Sequence, residues 1–305
     1  MLNYAFKRIF TIIPTLFAII TLTFFLMRIA PGGPFDEERP LAPAVLENIQ
    51  ASYGLNKPLI EQYFIYIGNL LQGDMGPSFV YRDKRVHEVL AEGLPISITL
   101  GGTALLLALI IGVFLGSIAA LNQNKKTDVF IVTFATFGIT TPNYVIAPIL
   151  TLIFALTFSI LPATGWGSPS QMVLPVVSLA LPQIAIVTRL MRGSMLEALK
   201  SDHIRTARAY GLPITHVVGK HAMRSALLPV LSYLGPAAAA LMTGSIVIEQ
   251  IFNLPGIGRY FVTSALNRDY TMVMGTVIIV ATLVLVFNLI VDLLYTVLDP
   301  RVRYD

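Results

Sequence analysis

Six long apolar runs constrain this 305-residue chain more than any other feature. They lie at about 9–29, 95–121, 129–160, 173–190, 229–251 and 272–298. A helix rising 1.5 Å per residue needs about 20 apolar residues to cross a hydrocarbon core of about 30 Å. Hydrophobic residues make up 55% of the chain and charged ones 12%, whereas soluble domains average roughly 25% charged residues. So much apolar surface exceeds what one chain of this length buries in itself, and lipid is its expected solvent. The expected fold class is an all-α integral membrane protein with about six transmembrane helices. The third run contains Pro142 and Pro148, and the short fourth run contains Pro175 and Pro182. Prolines are tolerated in membrane helices where neighbours satisfy the freed carbonyls. Lys7 and Arg8 precede the first run as they would in a secretory leader. That run is too long for a leader, and no small-residue cleavage pattern follows it before "RIAPGGP", so it reads as a retained span.

Orientation follows from where Lys and Arg fall in the short loops. Lys7, Arg8, Lys125, Lys126, the cluster from Arg189 to Arg224, Arg301 and Arg303 share one side if six helices alternate. The other side carries the uncharged loop "LPATGWGSPS" and a loop with only Arg259 and Arg268. Both termini and the basic loop are therefore expected in the cytoplasm. The expected organisation is an N-terminus and first span over 1–30, an external segment over 31–94, a five-helix core over 95–298 containing a cytoplasmic loop at 191–228, and a tail over 299–305. The external segment holds nine acids and five bases. Two of its stretches look amphipathic and helical: Pro43–Tyr53, and Pro58–Leu71 with Ile60, Phe64, Ile67 and Leu71 on one face.

The motifs of soluble catalysis are absent. There is no Cys, so neither a disulfide framework nor a thiolate metal site is expected. G-x-x-x-x-G-K-[ST], H-E-x-x-H and G-x-S-x-G do not occur. His216 and His221 stand five apart, a spacing that does not share one α-helical face. No catalytic residue, metal site or nucleic-acid partner is expected. Within the spans, Asp292 follows Asn288 by four residues, and Glu249 ends the fifth run. An intramembrane acid is a functional candidate by default, and Asp292 is the one residue that would serve an ion-coupled secondary transporter. Its place near the end of the sixth run favours a cap or an ion pair. Gly112 with Gly116, and the small residues of "GPAAAALMTGS", read as close helix packing.

The stretch "RTARAYGLPITHVVGKHAMRSALLP" from Arg205 to Pro229 asks for more than topology. Asp202 is a fair N-cap for a short helix through "HIRTARAY". Gly211 supplies the left-handed position after it, and Pro213 suits the first turn of a second helix. His216, Lys220 and Arg224 recur every four residues and would form one basic face. The first helix is too short to be stable alone in water. Ala207 and Ala209 give it small side chains, suited to a groove in another protein.

These residues resemble the cytoplasmic coupling loop of ABC-transporter permease subunits, whose general pattern is Glu-Ala-Ala, three residues, then Gly. Here Arg205-Thr206-Ala207 precede Gly211 by the same spacing, with Arg205 in place of the Glu. That form is usual in the peptide and nickel importer branch. "RIAPGGPF", "YGLNKPLIEQY", "GDMGPSF", "VIEQIFNLPGIG" and "VDLLYTVLDPRVRY" extend the resemblance over nearly the whole chain, most like the first (B-type) permease of oligopeptide importers. The resemblance implies a type I importer transmembrane domain in a bacterial inner membrane. It implies a paralogous C-type permease, two ATPase subunits of D and F type carrying ATP and magnesium, and an external A-type peptide-binding protein as partners. It implies no cofactor on this chain, and it makes Asp202, Arg205, Thr206, Ala207, Ala209 and Gly211 the coupling residues. Relatives also carry dipeptides, murein peptides, glutathione and nickel chelates.

Overall fold

The computed structural model describes residues 2–29, 47, 51, 54–81, 83–242 and 246–298, apart from the side chains of 2–7, 9 and 294–298. The expected helix over Pro43–Tyr53, residues 47 and 51 apart, and the tail over 299–305 lie outside the described residues. Among these residues every regular element is a helix, and the one β contact is an isolated antiparallel bridge between Pro77 and Arg85. In chain order the helices are α1 (Leu2–Ile29), α2 (Leu59–Leu71), α3 (Val86–Leu121), α4 (Lys126–Thr140), α5 (Asn143–Leu150), α6 (Pro169–Lys200), α7 (Asp202–Ala209), α8 (Ile214–His216), α9 (Met223–Met242), α10 (Ile246–Ile251), α11 (Ile257–Leu266) and α12 (Tyr270–Leu298). π-helical turns follow α5 at Thr151–Thr157 and join α8 to α9 at Val217–Ala222.

Five stretches are long and apolar enough to cross a bilayer: Phe10–Ile29, Val86–Leu121, Pro169–Lys200, Ile214–Ile251 and Tyr270–Leu293. The third apolar run of the sequence is not a single helix. It is α4 and the α5 segment, bent by 104° at their junction. Pro142 causes the break. It lacks an N–H, and its ring drives the preceding residue out of the helical region. Thr141 accordingly sits at φ −90°, ψ 117°, and α5 restarts after Pro142. Pro148, Pro175 and Pro182 remain inside helices.

Helix ends also depart from the apolar runs. α3 starts at Val86, where the Glu88 carboxylate accepts the Arg85 backbone N–H at 2.9 Å. Its 36 residues make roughly 54 Å of helix, longer than the hydrocarbon core, so its first turns stand clear of the apolar run. α6 starts with Pro169 in its first turn, where Pro suits a helix. It continues to Lys200, so residues 191–200 extend a span and do not form a loop.

The packing is built on small residues. α3 and α6 run parallel and touch along Gly112 and Gly116. A Cβ at these positions would lie 2.7 Å from Val187 Cβ and 2.6 Å from the Thr188 carbonyl oxygen. α4 runs antiparallel to α6, and a Cβ at Gly138 would come within 2.9 Å of Ala185 Cβ. On α9, Ala237, Ala238 and Ala239 are buried and Gly235 meets Val291 of α12. α1 is peripheral and packs with α2 and α12 through Ile20, Phe24, Tyr66, Met274 and Ile278. α2 carries the expected apolar face but packs on the protein through a neighbouring one. Tyr63, Tyr66, Ile67 and Leu70 meet the protein, while Ile60, Phe64 and Leu71 are exposed. The tyrosines win that face because their rings stack and tilt against Phe24 and Phe25 of α1.

Candidate functional site

At the basic end of the bundle the chain leaves α6 at Lys200 and turns through Ser201, which has extended backbone (φ −69°, ψ 155°). Ser201, not Asp202, is the N-cap of α7, because Ser201 is the last residue outside helical geometry. Asp202 is the first helical residue. Its carboxylate is 97% exposed and lies 3.5 Å from Arg205, an i,i+3 pair in water that contributes little on its own. Its charge still suits the positive end of the helix dipole.

α7 has two sides. Ile204 and Ala207 are buried in a cluster with Met191, Met195, Ala198, Val217 and Ala222. Arg205, Thr206, Arg208, Ala209, Tyr210 and Gly211 are exposed. Thr206 Oγ1 donates to the Asp202 carbonyl at 3.0 Å. Ala207 therefore faces its own chain, unlike the surface role its size suggested, whereas Ala209 is free to meet another surface. Ile204 is the anchor that sequence reasoning missed, although its i,i+3 spacing to Ala207 in "HIRTARAY" is the signal for it.

Gly211 has φ +75°, the left-handed conformation expected of it, and nothing lies within 4 Å of where a Cβ would be. Its N–H donates to the Arg208 carbonyl at 2.9 Å and closes the helix. Pro213 is the cap before α8 rather than its first helical residue. Tyr210, Leu212 and Ile214 are exposed around this turn at 82%, 38% and 51%. They form an apolar tip beside α7 that the charge pattern had hidden.

The expected basic face of His216, Lys220 and Arg224 does not form on a regular α-helix. The π turn at Val217–Ala222 closes i to i+5. It brings the His216 and His221 rings to 5.8 Å between centroids, a pairing that α-helical geometry forbids. Among the described residues no three His, Cys, Asp or Glu side chains gather as a metal site.

On α6, between the Met191 and Met195 that anchor α7, Arg192 makes an ion pair absent from the sequence reading. Arg192 on α6 grips Asp128 in the first turn of α4 through two bonds, Nε to Oδ1 at 2.6 Å and Nη2 to Oδ2 at 2.8 Å. The Asp128 side chain is 4% exposed. Oδ2 also accepts the N–H of Asn124, a loop residue at φ +64°.

Asp292 pairs with Arg8 of α1 at 2.7 Å at the same end of the bundle, as its position near the helix end suggested, and not at the bundle centre. The opposite end is held by two fully buried acids. Glu249 on α10 accepts from Ser97 Oγ at 2.7 Å and from the Arg259 N–H at 3.0 Å, and Ser97 Oγ accepts the Ile257 N–H at 3.0 Å. Asp269 accepts from the N–H groups of Phe79, Val80 and Met272 at 3.1, 3.2 and 3.1 Å, and from the hydroxyls of Ser78 and Thr271.

Fold and site together define a multi-pass helical membrane protein, with a short, exposed, internally anchored helix standing off one end. Residues 112–304 match the family described as the binding-protein-dependent transport system inner membrane component, and residues 1–101 match its N-terminal companion family. The chain belongs to that family. It is 51% identical to the oligopeptide transport system permease protein OppB of Haemophilus influenzae over 100% of both chains. The OppB protein of Escherichia coli K12 is 50% identical, again over 100% of both. A dipeptide transport system permease protein, DppB of Lactococcus lactis subsp. cremoris, is 42% identical over 99% of this chain and 100% of its own. A solved structure described as an amino acid ABC transporter with histidines shares the fold at TM-score 0.52 and 18% identity, covering 71% of this chain and 95% of that one.

Proposed function

We propose that this chain is a permease subunit of an ATP-driven ABC importer that moves oligopeptides across the bacterial inner membrane, with α7 as its coupling helix. The observation that carries the coupling role is the two-sidedness of α7. Ile204 and Ala207 fix it to α6 and the π turn, while Arg205, Ala209 and Tyr210 are offered outward. A helix of eight residues is marginal alone in water, so this anchoring makes it a stiff projection. Exposed apolar groups at its tip suit a protein groove. Full-length identity of about half to oligopeptide permeases supports the substrate class.

On this reading both termini and α7 face the cytoplasm, which the placement of Lys and Arg supports. Two ATPase subunits each grip one coupling helix, one on this chain and one on a paralogous permease. An external peptide-binding protein delivers the solute at the opposite end. ATP and magnesium reside on the ATPases, and this chain contributes path and lever. When the ATPases close, α7 moves with the lower part of α6, because the buried cluster joins them.

The test is reconstitution of the complete importer in vesicles. Arg205→Glu reverses the exposed charge, and Gly211→Val forces a branched residue into a left-handed turn, a strain of about 1–2 kcal/mol. Both variants should insert and assemble, yet lose most peptide uptake and most of the substrate-stimulated ATP hydrolysis. Wild-type transport by both would remove the lever assignment. Uptake driven by a proton gradient without ATP would remove the importer class itself.

A further inference from the structure

The bidentate pair links α4 to α6 beside Met191 and Met195, the residues that anchor α7, where force would have to pass from the coupling helix into the broken span. α4 follows α6 antiparallel from Asp128 opposite Arg192 to Gly138 against Ala185, and then ends at the Thr141–Pro142 break. A groove of about 160 Å³ runs between α4 and α6 from Ile131 past Ala135 and Gly138 to Thr141 at the break, with Ile184 and Thr188 on its far wall. The segment is thus pinned to α6 at one end by the ion pair, touches it again at Gly138, and ends at the other in the bend.

We infer that Asp128 and Arg192 form a strut that makes α4 and the lower half of α6 one rigid lever, carrying motion of α7 to the bend at Thr141–Pro142. The inference rests on the proposed importer function and names its transmitting residues. Three features support the assignment. The guanidinium fork fixes both distance and angle between the two helices, which a point charge does not. The Asp128 carboxylate is buried, so breaking the pair leaves an uncompensated charge and the link resists opening. Oδ2 also holds the Asn124 N–H, so the α3–α4 loop is tied to the same point. Asp128 and Arg192 are positioning residues, since neither is placed against solute or nucleotide.

The experiment uses the assembled importer in vesicles, with peptide uptake and ATP hydrolysis measured on one preparation. Arg192→Lys keeps the charge and loses the fork. Asp128→Leu with Arg192→Met replaces the pair by apolar side chains of similar bulk, a change that buried ion pairs often tolerate without loss of stability. Both variants are expected to assemble and to hydrolyse ATP near the wild-type basal rate. The ATP consumed per peptide imported should rise at least about tenfold, a change of about 1.4 kcal/mol in coupling. An unchanged ratio in both overturns the strut. So does a loss of hydrolysis and uptake in step with loss of assembled complex, which would mark the pair as fold support only. Absence of ATP-driven uptake in the unmodified complex would instead overturn the importer reading, independently of these variants.

Discussion

Single residues at the two ends of this molecule do different physical work. At the end away from α7, Glu249 is the acceptor for a side-chain hydroxyl on α3 and a backbone N–H at the start of α11. A Cβ at Gly256 would run into that carboxylate, so the turn into α11 is shaped around it. Glu249→Gln keeps one acceptor oxygen and turns an NH2 group toward the other donor. Leaving a buried donor unsatisfied costs roughly 1–3 kcal/mol. The variant should lower the thermal midpoint of the purified complex, and Glu249→Ala, which strands both donors, should lower it further. Equal midpoints for wild type and both variants would show that water replaces the carboxylate. The sequence places Glu249 near the end of a span but does not disclose its partners, because Ser97 lies 152 residues away and no periodicity links them. Gly211 is the contrasting case. Its left-handed φ follows from local chemistry alone, and the sequence suffices to find it.

Among elements, those decided by local rules were legible and those decided by tertiary contacts were not. The five stretches long enough to cross a bilayer follow from apolar length. The Pro142 break was visible as a proline, but a proline alone does not decide a break, since Pro175 and Pro182 sit inside α6 without ending it. α7 was legible from its length and the Gly211 stop. Its inward face was not, because Ala207 is small enough to suit either a core or a docking surface until Ile204 fixes the rotation. The buried face of α2 is a further example, since both of its faces are apolar and only the rings on α1 choose between them. There Tyr66 is buried with its hydroxyl lacking a hydrogen-bond partner among the described residues. Burial pushes its pKa up to about 12, against a smaller opposing pull from Arg28. The neutral phenol is thus favoured in the folded state relative to a free tyrosine near 10. Its contribution is complete below about pH 10 and is lost as pH climbs from about 10 towards about 12. Tyr66→Phe should remove this alkaline loss from a pH series of unfolding midpoints. At pH 7 it should leave the midpoint unchanged or higher, since an unpaired buried hydroxyl is unfavourable. A lower midpoint at pH 7 would mean the hydroxyl is satisfied by water.

For the whole molecule, the placement of buried acids separates a frame from a lever. Asp269 gathers Ser78, Phe79, Val80, Thr271 and Met272 and so ties a loop to the start of α12 across about 190 residues of sequence. Both oxygens are used, and every donor comes from the end opposite α7. Asp128, in contrast, joins two helices whose far portions meet a bend and a groove. If the molecule transmits motion from α7 through α6 and α4, the Asp269 end should resist that motion and act as the fixed reference against which the bend opens. Asp269→Asn presents an amide NH2 to donors now held by one carboxylate oxygen, a loss of roughly 1–3 kcal/mol, and should lower the unfolding midpoint of the importer clearly. Complexes that remain assembled should still consume the wild-type amount of ATP per imported peptide, whereas the Asp128 and Arg192 variants should raise that ratio with little change in midpoint. Measuring midpoint and coupling ratio for both sets in one membrane preparation separates the two roles. If Asp269→Asn raised the ratio as far as Arg192→Lys, the end opposite α7 would be part of the moving path, and the division into frame and lever would fail.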